Sequence, residues 1–388
     1  MSRVRWLVLG WLGVSPLAGA QDRAAVTGVV FMDRNGNGQR DAGEVGVRGV
    51  VVSNQDAVTR TTADGSYQLA GRGTGLVFVS VPTGHEASGA WFKSASGVVD
   101  FGLRRGGAGE SFTFLHASDT HIAEATRNRS VRMLAIADSV RPAFVLITGD
   151  LVRDALRVGE AEATGYYEMF AATVRASRRP IWTVPGNHEV FGIERDKSGV
   201  SADHRLFGRE MYRHYRGPDY YSFNAGGVHF IGLNTVDIDG PWYYGHVDSM
   251  QLAWLARDLA EVPAGTPIVT FNHIPFYSTA EALSGYVDTP PAPSLITVAG
   301  RTSYRHTVSN AREVMELLQD RLYPLGLGGH VHMREVVRYA GTRTRFEQAA
   351  AVVGPNPNGG FAHPSGVTLY RVTRGRLSEG TFIPLGPT

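Results

Sequence analysis

The sequence predicts a small all-β sandwich followed by a larger α/β domain. Three observations carry this. From Ala25 to Leu103 the chain is rich in Gly, Val and Thr, with strand-length runs separated by turn residues. After Ser111 such runs alternate with helical patterns, the rhythm of an α/β fold. Within this second part, five apolar runs each end in residues able to bind a metal or move a proton.

Met1–Ala20 has a basic start at Arg3 and Arg5, an apolar run from Trp6 to Leu17, and Ala18-Gly19-Ala20 before a polar stretch. That is signal-peptide architecture, too short to span a bilayer comfortably. It predicts a periplasmic or secreted protein, with an uncleaved anchor as the alternative. Removing these residues takes the formal charge from +2 to zero, because two arginines leave with them. A balanced chain argues against a nucleic acid or anionic membrane held by bulk charge. The absence of cysteine excludes disulfides, thiolate metal sites and a cysteine nucleophile. No second apolar stretch is long enough for a transmembrane segment.

Residues 21–103 form the predicted sandwich module, with strands at Ala25–Met32, Gly49–Ser53, Val58–Thr62, Ser66–Leu69, Leu76–Pro82 and Val98–Leu103. Within it Asp33, Asn35, Asn37, Gln39, Asp41 and Glu44 match the ligand positions of an EF-hand loop, and Gly38 stands where that loop turns sharply. The flanks are strand-like instead of helical, so the stretch is not an EF-hand. It resembles the calcium loop of the B-type repeats of bacterial surface proteins, and Asp64–Leu69 resembles a strand of carboxypeptidase-regulatory-like modules. Two readings stand: a bound Ca ion, or a polar Asn/Gly hairpin without metal. Arg104–Glu110 reads as a linker.

The second domain, 111–388, holds the five runs. They are Phe112–Ala117 before Asp119 and His121, Ala143–Ile147 before Gly149-Asp150, and Ile181–Val184 before Pro185-Gly186-Asn187-His188-Glu189. Ile268–Phe271 precedes His273, and Leu325–Leu327 precedes Gly329-His330-Val-His332. Short apolar runs read as buried strands, and α/β sheets place their chemistry at strand ends. In extended backbone, side chains two apart share a side, so Asp119/His121 and His330/His332 would each aim at one point. Imidazoles with carboxylates suit zinc, iron or manganese, and seven such groups suffice for two metals.

Taken in order, these blocks resemble the signature of the calcineurin-like metallophosphoesterase superfamily, from roughly Ser111 to the C-terminus. The segment Gly217–Asn224 and the stretch Tyr244–Leu255 extend the resemblance between blocks. It implies two mixed β-sheets packed face to face and flanked by helices, around a binuclear centre. Asp119, His121 and His332 would hold one metal, and Asn187, His273 and His330 the other. Asp150 would bridge them, and His188 would stand beside the phosphate without ligating. The implied activity is hydrolysis of phosphomonoesters or phosphodiesters by a metal-bridging hydroxide, with a small phosphate ester as substrate. The alternative is a surface-associated binding protein with an inactive phosphoesterase-like domain, whose mark would be lost ligands; none is lost. Two departures concern His188. Glu189 stands where the family often has Asp, and Arg153 stands where many members carry an orienting Asp, leaving Asp154 and Glu189 as partner candidates. Arg153 also replaces the tyrosine ligand of purple acid phosphatases.

Helices are predicted at Arg129–Val140, Glu160–Ala176, Ser249–Leu259 and Asn310–Leu322. Glu335–Tyr339, Arg343–Phe346, Gly366–Val372 and Gly380–Ile383 read as strands of a second sheet, and Ser284–Tyr304 as a long Pro-rich loop. The remaining histidines read as structural or surface residues, with His246 and His306 in loops near enough to approach the site. Tyr220, Tyr221, Trp242, Tyr243 and Tyr244 suit either stacking on a substrate or filling core space.

Overall fold

In the N-terminal part, Val26–Met32 pairs with Ser66–Leu69 on one side and Phe101–Arg105 on the other, and His85–Ala87 completes a four-stranded sheet. Val58–Arg60, Val51–Ser53, Leu76–Ser80 and Phe92–Ser94 form the second sheet of the expected sandwich. The computed structural model describes residues 25–285, 287, 293–338, 342–354 and 363–386, so the expected signal peptide lies outside them. The strand at Phe101–Arg105 takes in the start of the predicted linker, and the next begins at Ser111. Among the described residues no helix is long and apolar enough to cross a membrane.

The module is bonded to its neighbour and not merely tethered. Gln55 donates through Nε2 to Asp219 Oδ1 (3.0 Å) and to the Tyr220 carbonyl (2.9 Å), and Trp254 Nε1 donates to Ser53 Oγ (3.1 Å). Trp91 packs on Trp182 and Tyr221 with ring centroids 5.0 and 4.6 Å apart. Tyr220 and Tyr221 are therefore buried packing residues at this junction.

In the α/β part, the first six-stranded sheet runs Ile181–Val184, Phe144–Thr148, Ser111–Ala117, Gly366–Thr373, Arg376–Leu377, with Thr381–Pro384 also on Gly366–Thr373. The second runs Tyr221–Ala225, Val228–Gly232, Ile268–Phe271, Leu325–Gly328, Arg345–Gln348, Glu335–Val337. Both are mixed, and they meet face to face through aromatic contacts: Phe114 lies 5.5 Å from Phe230, and Phe144 5.3 Å from Phe223. Helices Arg127–Val140 and Glu160–Arg175 cover the first sheet with Met133, Leu134, Tyr167 and Phe170. Ser249–Ala260 and Ala311–Leu318 contribute Trp254, Leu255, Leu259 and Val314 to the main core.

The C-terminal strands correct one expectation. Gly366–Thr373 and Thr381–Pro384 belong to the first sheet, where Gly366–Thr373 lies antiparallel to Ser111–Ala117 with Thr368 opposite His116. Only Glu335–Val337 and Arg345–Gln348 join the second sheet. The predicted loop at Ser284–Tyr304 also contains a hairpin, Leu295–Val298 paired with Arg301–Tyr304. Sequence patterning misses helix Glu210–Arg216 and strands His85–Ala87 and Phe92–Ser94, which are too short for a periodic signal.

Candidate metal centre

Three of the five strand ends lie side by side in the first sheet and two in the second, because within each sheet their strands are parallel neighbours. Phe144–Thr148 runs parallel to both Ser111–Ala117 and Ile181–Val184, and Ile268–Phe271 runs parallel to Leu325–Gly328. The loops that follow bond to one another: Asp119 N donates to the Gly149 carbonyl, His121 N to the Asp150 carbonyl, and Gly329 N to the His273 carbonyl.

The paired ligands do not converge through extended backbone. Asp119, His121, Asp150, His330 and His332 all adopt positive φ, at 55°, 38°, 49°, 71° and 53°. Left-handed backbone at a non-glycine residue costs on the order of 1 kcal/mol, and it gathers where surrounding structure demands a particular side-chain direction. Each pair is thus aimed by a tight left-handed turn beyond the strand. Glycine allows the close approach: a Cβ on Gly186 would stand 2.2 Å from Asp150 Oδ1, and one on Gly149 2.7 Å from the His273 ring.

Two groups of potential ligands result, Asp119, His121, Asp150, His332 and Asp150, His273, His330, with ligand atoms in each within 4.8 Å of one another. Asp150 belongs to both. Its Oδ2 stands 3.5 Å from His121 Nε2 and 3.2 Å from His273 Nε2, while Oδ1 accepts from His188 N at 2.9 Å. Asn187 completes the second group, its Oδ1 3.1 Å from His273 Nε2. All seven predicted ligands are therefore together.

The donor set suits divalent cations. His121 and His332 face each other through Nε2 at 3.1 Å, and His330 Nδ1 faces His273 Nε2 at 3.1 Å. Each nitrogen pair shares one proton at most, so lone pairs are left pointing inward. Asp119 Oδ1 is buried, 3.2 Å from His332 Nε2, and Oδ2 accepts from His330 N at 3.2 Å. Burial works against the charges of Asp119 and Asp150, but the surrounding imidazoles keep both carboxyls well below the usual range. Anionic carboxylates and inward lone pairs are what a pair of cations satisfies.

His188 stands beside this cluster, with Nε2 3.9 Å from Asp150 Oδ2. Neither Asp154 nor Glu189 orients it. Its Nδ1–H donates to the Arg153 carbonyl at 2.6 Å, which leaves Nε2 aimed at the centre. The Arg153 side chain is exposed, so position 153 serves through its backbone. Burial is the main reason the imidazole is lowered to about 4, against the pull of Asp150. Asp154 instead accepts from Leu156 N and pairs with Arg157 at 2.9 Å.

Glu189 holds the loops. Its Oε1 accepts from Leu151 N (2.8 Å) and Val152 N (3.0 Å), and Oε2 from Gly186 N (2.7 Å). Burial and the nearby Asp150 push its carboxyl up to about 7, against the bonds from Val152 N and Gly186 N. Glu189→Ala leaves the three N–H groups facing the space the carboxylate filled. We expect it to lower stability by on the order of 3 kcal/mol in denaturant unfolding.

Two carbonyls around the centre escape sequence reasoning, whereas His306, the loop histidine expected to approach the site, does approach it. The Thr148 carbonyl accepts from His273 Nδ1 at 2.7 Å, the Arg153 carbonyl serves His188, and His306 Nδ1 lies 2.7 Å from His330 Nε2. Of the aromatic group, Tyr243 faces the centre, its ring 5.9 Å from that of His330, whereas Tyr244 and His246 bond to Asp237.

In the N-terminal loop, Asp33 accepts from Gly36 N and Gly38 N, both at 2.7 Å, and Glu44 accepts from Arg34 N and Asp41 N. Asn35 and Asn37 both donate to Asp41 Oδ2, and the Oδ1 atoms of Asn35 and Asn37 accept from Asn37 N and Gln39 N. Among the described residues, Asp33, Asp41 and Glu44 do not gather as the centre's ligands do.

Comparison with known proteins adds an independent observation. The sequence model of a family described as calcineurin-like phosphoesterase matches residues 112–334. A probable cyclic nucleotide phosphodiesterase of Rhodopseudomonas palustris is 29% identical over 145 residues, covering 35% of this chain and 44% of the relative. One of Rhodococcus erythropolis is 26% identical over 238 residues, covering 58% of this chain and 67% of the relative. Purple acid phosphatase 23 of Arabidopsis thaliana is 30% identical over 165 residues, covering 41% of this chain and 30% of the relative. The chain thus spans less than half the length of the first and third of these relatives.

Proposed function

This chain belongs to the calcineurin-like phosphoesterase family, and from that premise we propose an exported, binuclear hydrolase of phosphate monoesters or diesters. The observation that carries the reading is the meeting of seven donors in two groups that share Asp150. Asp119, His121 and His332 would hold one cation; Asn187, His273 and His330 the other; manganese, iron and zinc all fit such donors. Bound there, two divalent cations neutralise phosphate oxygens and acidify the attacking water. The protein's own part is charge and direction. Asp150 would screen the cations from each other, and His188 would present Nε2 to the reacting phosphate, where it can stabilise charge or protonate the leaving oxygen.

The names of the two bacterial relatives make cyclic nucleotides a first substrate class to try. Purified protein replete with Mn or Zn should hydrolyse aryl phosphate mono- or diesters or a 3′,5′-cyclic nucleotide. It should lose turnover with chelator and regain it with metal. Metal-replete protein inert towards every member of that panel would overturn the reading. Export is supported by the Met1–Ala20 pattern, and a mature protein found in the cytoplasm with its first residues intact would remove that part.

The same experiment carries a pH signature. Burial opposes the charged form of His273, yet Asp150 and the bond to the Thr148 carbonyl hold its imidazole up to about 9. Below that pH a cation must displace a proton from Nε2, so binding releases protons and tightens as pH rises towards 9. Calorimetric titration of chelator-treated protein with Mn, in buffers of different ionisation enthalpy, should show that release at pH 7. An uptake of protons would contradict it.

A further inference from the structure

We propose that His306 is a positioning residue for the second cation, holding His330 in the tautomer that ligates; the inference rests on the phosphoesterase reading above. His330 meets the centre through Nδ1, which lies 3.1 Å from His273 Nε2, itself 3.2 Å from Asp150 Oδ2. Its other nitrogen, Nε2, lies 2.7 Å from His306 Nδ1, with the two rings nearly parallel at 24°. One proton occupies that contact. On His306 Nδ1, it would leave neutral His330 with its own proton on Nδ1, where the cation must bind. On His330 Nε2, it donates to His306 and leaves the Nδ1 lone pair facing the cation.

Ligating histidines are commonly held through their outer nitrogen, usually by a carboxylate, a carbonyl or water. At His273 the Thr148 carbonyl serves; at His330 the acceptor is another imidazole. Outer partners are not universal here, because His332 Nδ1 is buried with no hydrogen-bond partner among the described residues. His306 is also firmly placed. Its neighbour Arg305 donates to the carbonyls of Tyr243 (3.2 Å) and Pro293 (3.1 Å), and Val308 N donates to the Pro275 carbonyl (2.9 Å). Tyr243 meets both rings edge to face, with centroids 6.4 Å from His306 and 5.9 Å from His330. Through this residue the segment after the Leu295–Tyr304 hairpin reaches the metal centre.

The test compares wild type, His306→Ala and His306→Asn by equilibrium dialysis against Mn alone. Bound metal is counted per chain, and electron paramagnetic resonance reads coupling between neighbouring Mn ions. The amide introduced by His306→Asn would keep an acceptor oxygen near the place of Nδ1. We expect wild type to bind two coupled ions. His306→Ala should keep one and bind the other roughly 10- to 100-fold more weakly, with the coupled signal lost. His306→Asn should restore most of the second site. If His306→Ala binds both ions as wild type does, the inference fails while the phosphoesterase reading stands. If His306→Asn falls as far as His306→Ala, the acceptor is not the reason and the inference also fails. Wild type binding fewer than two ions would remove both. Should His306→Ala not fold, His306→Asn decides alone: a second site weakened tenfold or more counts against the role, and a retained one supports it.

Discussion

Asp150→Asn should bind at most one cation per chain and lose turnover by roughly three orders of magnitude or more. The side chain keeps its shape, and an amide oxygen can still accept from His188 N, where the wild-type bond is 2.9 Å. What disappears is the negative charge that both ligand groups share. Two dications a few ångströms apart repel strongly in a buried site, and a neutral amide gives them no screening. His273 and His121 change as well, because the carboxylate 3.2 and 3.5 Å from their Nε2 atoms is gone. Metal analysis and thermal unfolding with added Mn report the loss separately from activity. At a hundredfold excess over each Kd, two occupied sites stabilise the wild type by about 5 kcal/mol, and Asp150→Asn should show half of that or less. A variant that binds two ions and turns over normally would show that Asp150 is not shared.

The sequence announces this centre unevenly, and the differences have physical causes. Strand ends are legible because buried parallel strands must be apolar throughout, so Asp119, Asp150, Asn187, His273 and His330 stand out at the ends of apolar runs. The aiming of the paired ligands is not legible. His121 and His332 reach the centre through left-handed turns that their own residue types do not favour, and tertiary contacts decide those turns. Arg153 hides for another reason: its useful atom is a carbonyl, which every residue has. His306 reads from sequence only as a loop histidine able to approach the site; its partner, 24 residues on in the chain, emerges once the hairpin before it is built. The sheet that takes Gly366–Thr373 cannot be read from its residues, because a largely buried apolar strand fits either one, and only its pairing with Ser111–Ala117 decides.

His188→Ala should keep both metals and lose turnover by roughly 100- to 10,000-fold, the range expected for a positioned proton donor or charge stabiliser. Retention of metal follows from geometry: Nε2 stands 3.9 Å from Asp150 Oδ2, outside both ligand groups, and Nδ1 is spent on the Arg153 carbonyl. The two roles open to the imidazole separate by leaving group. If His188 protonates the leaving oxygen, the loss must grow with the leaving group's pKa, small for a nitrophenolate and large for an alkoxide. If it only stabilises charge on the phosphoryl oxygens, the loss should be nearly even along the series. The resting imidazole favours a conditional donor. Burial lowers it to about 4, so at neutral pH Nε2 carries a lone pair, and a proton must arrive with the anionic substrate before it can be passed on. A substrate dianion beside Nε2 raises the basicity that burial suppresses, which couples protonation to binding. Measured as kcat for His188→Ala against wild type over aryl and alkyl esters, a rising ratio would establish proton donation, and a flat one would assign the residue to charge stabilisation. Loss of a metal ion from the variant would mean that His188 has been placed on the wrong side of the ligand shell.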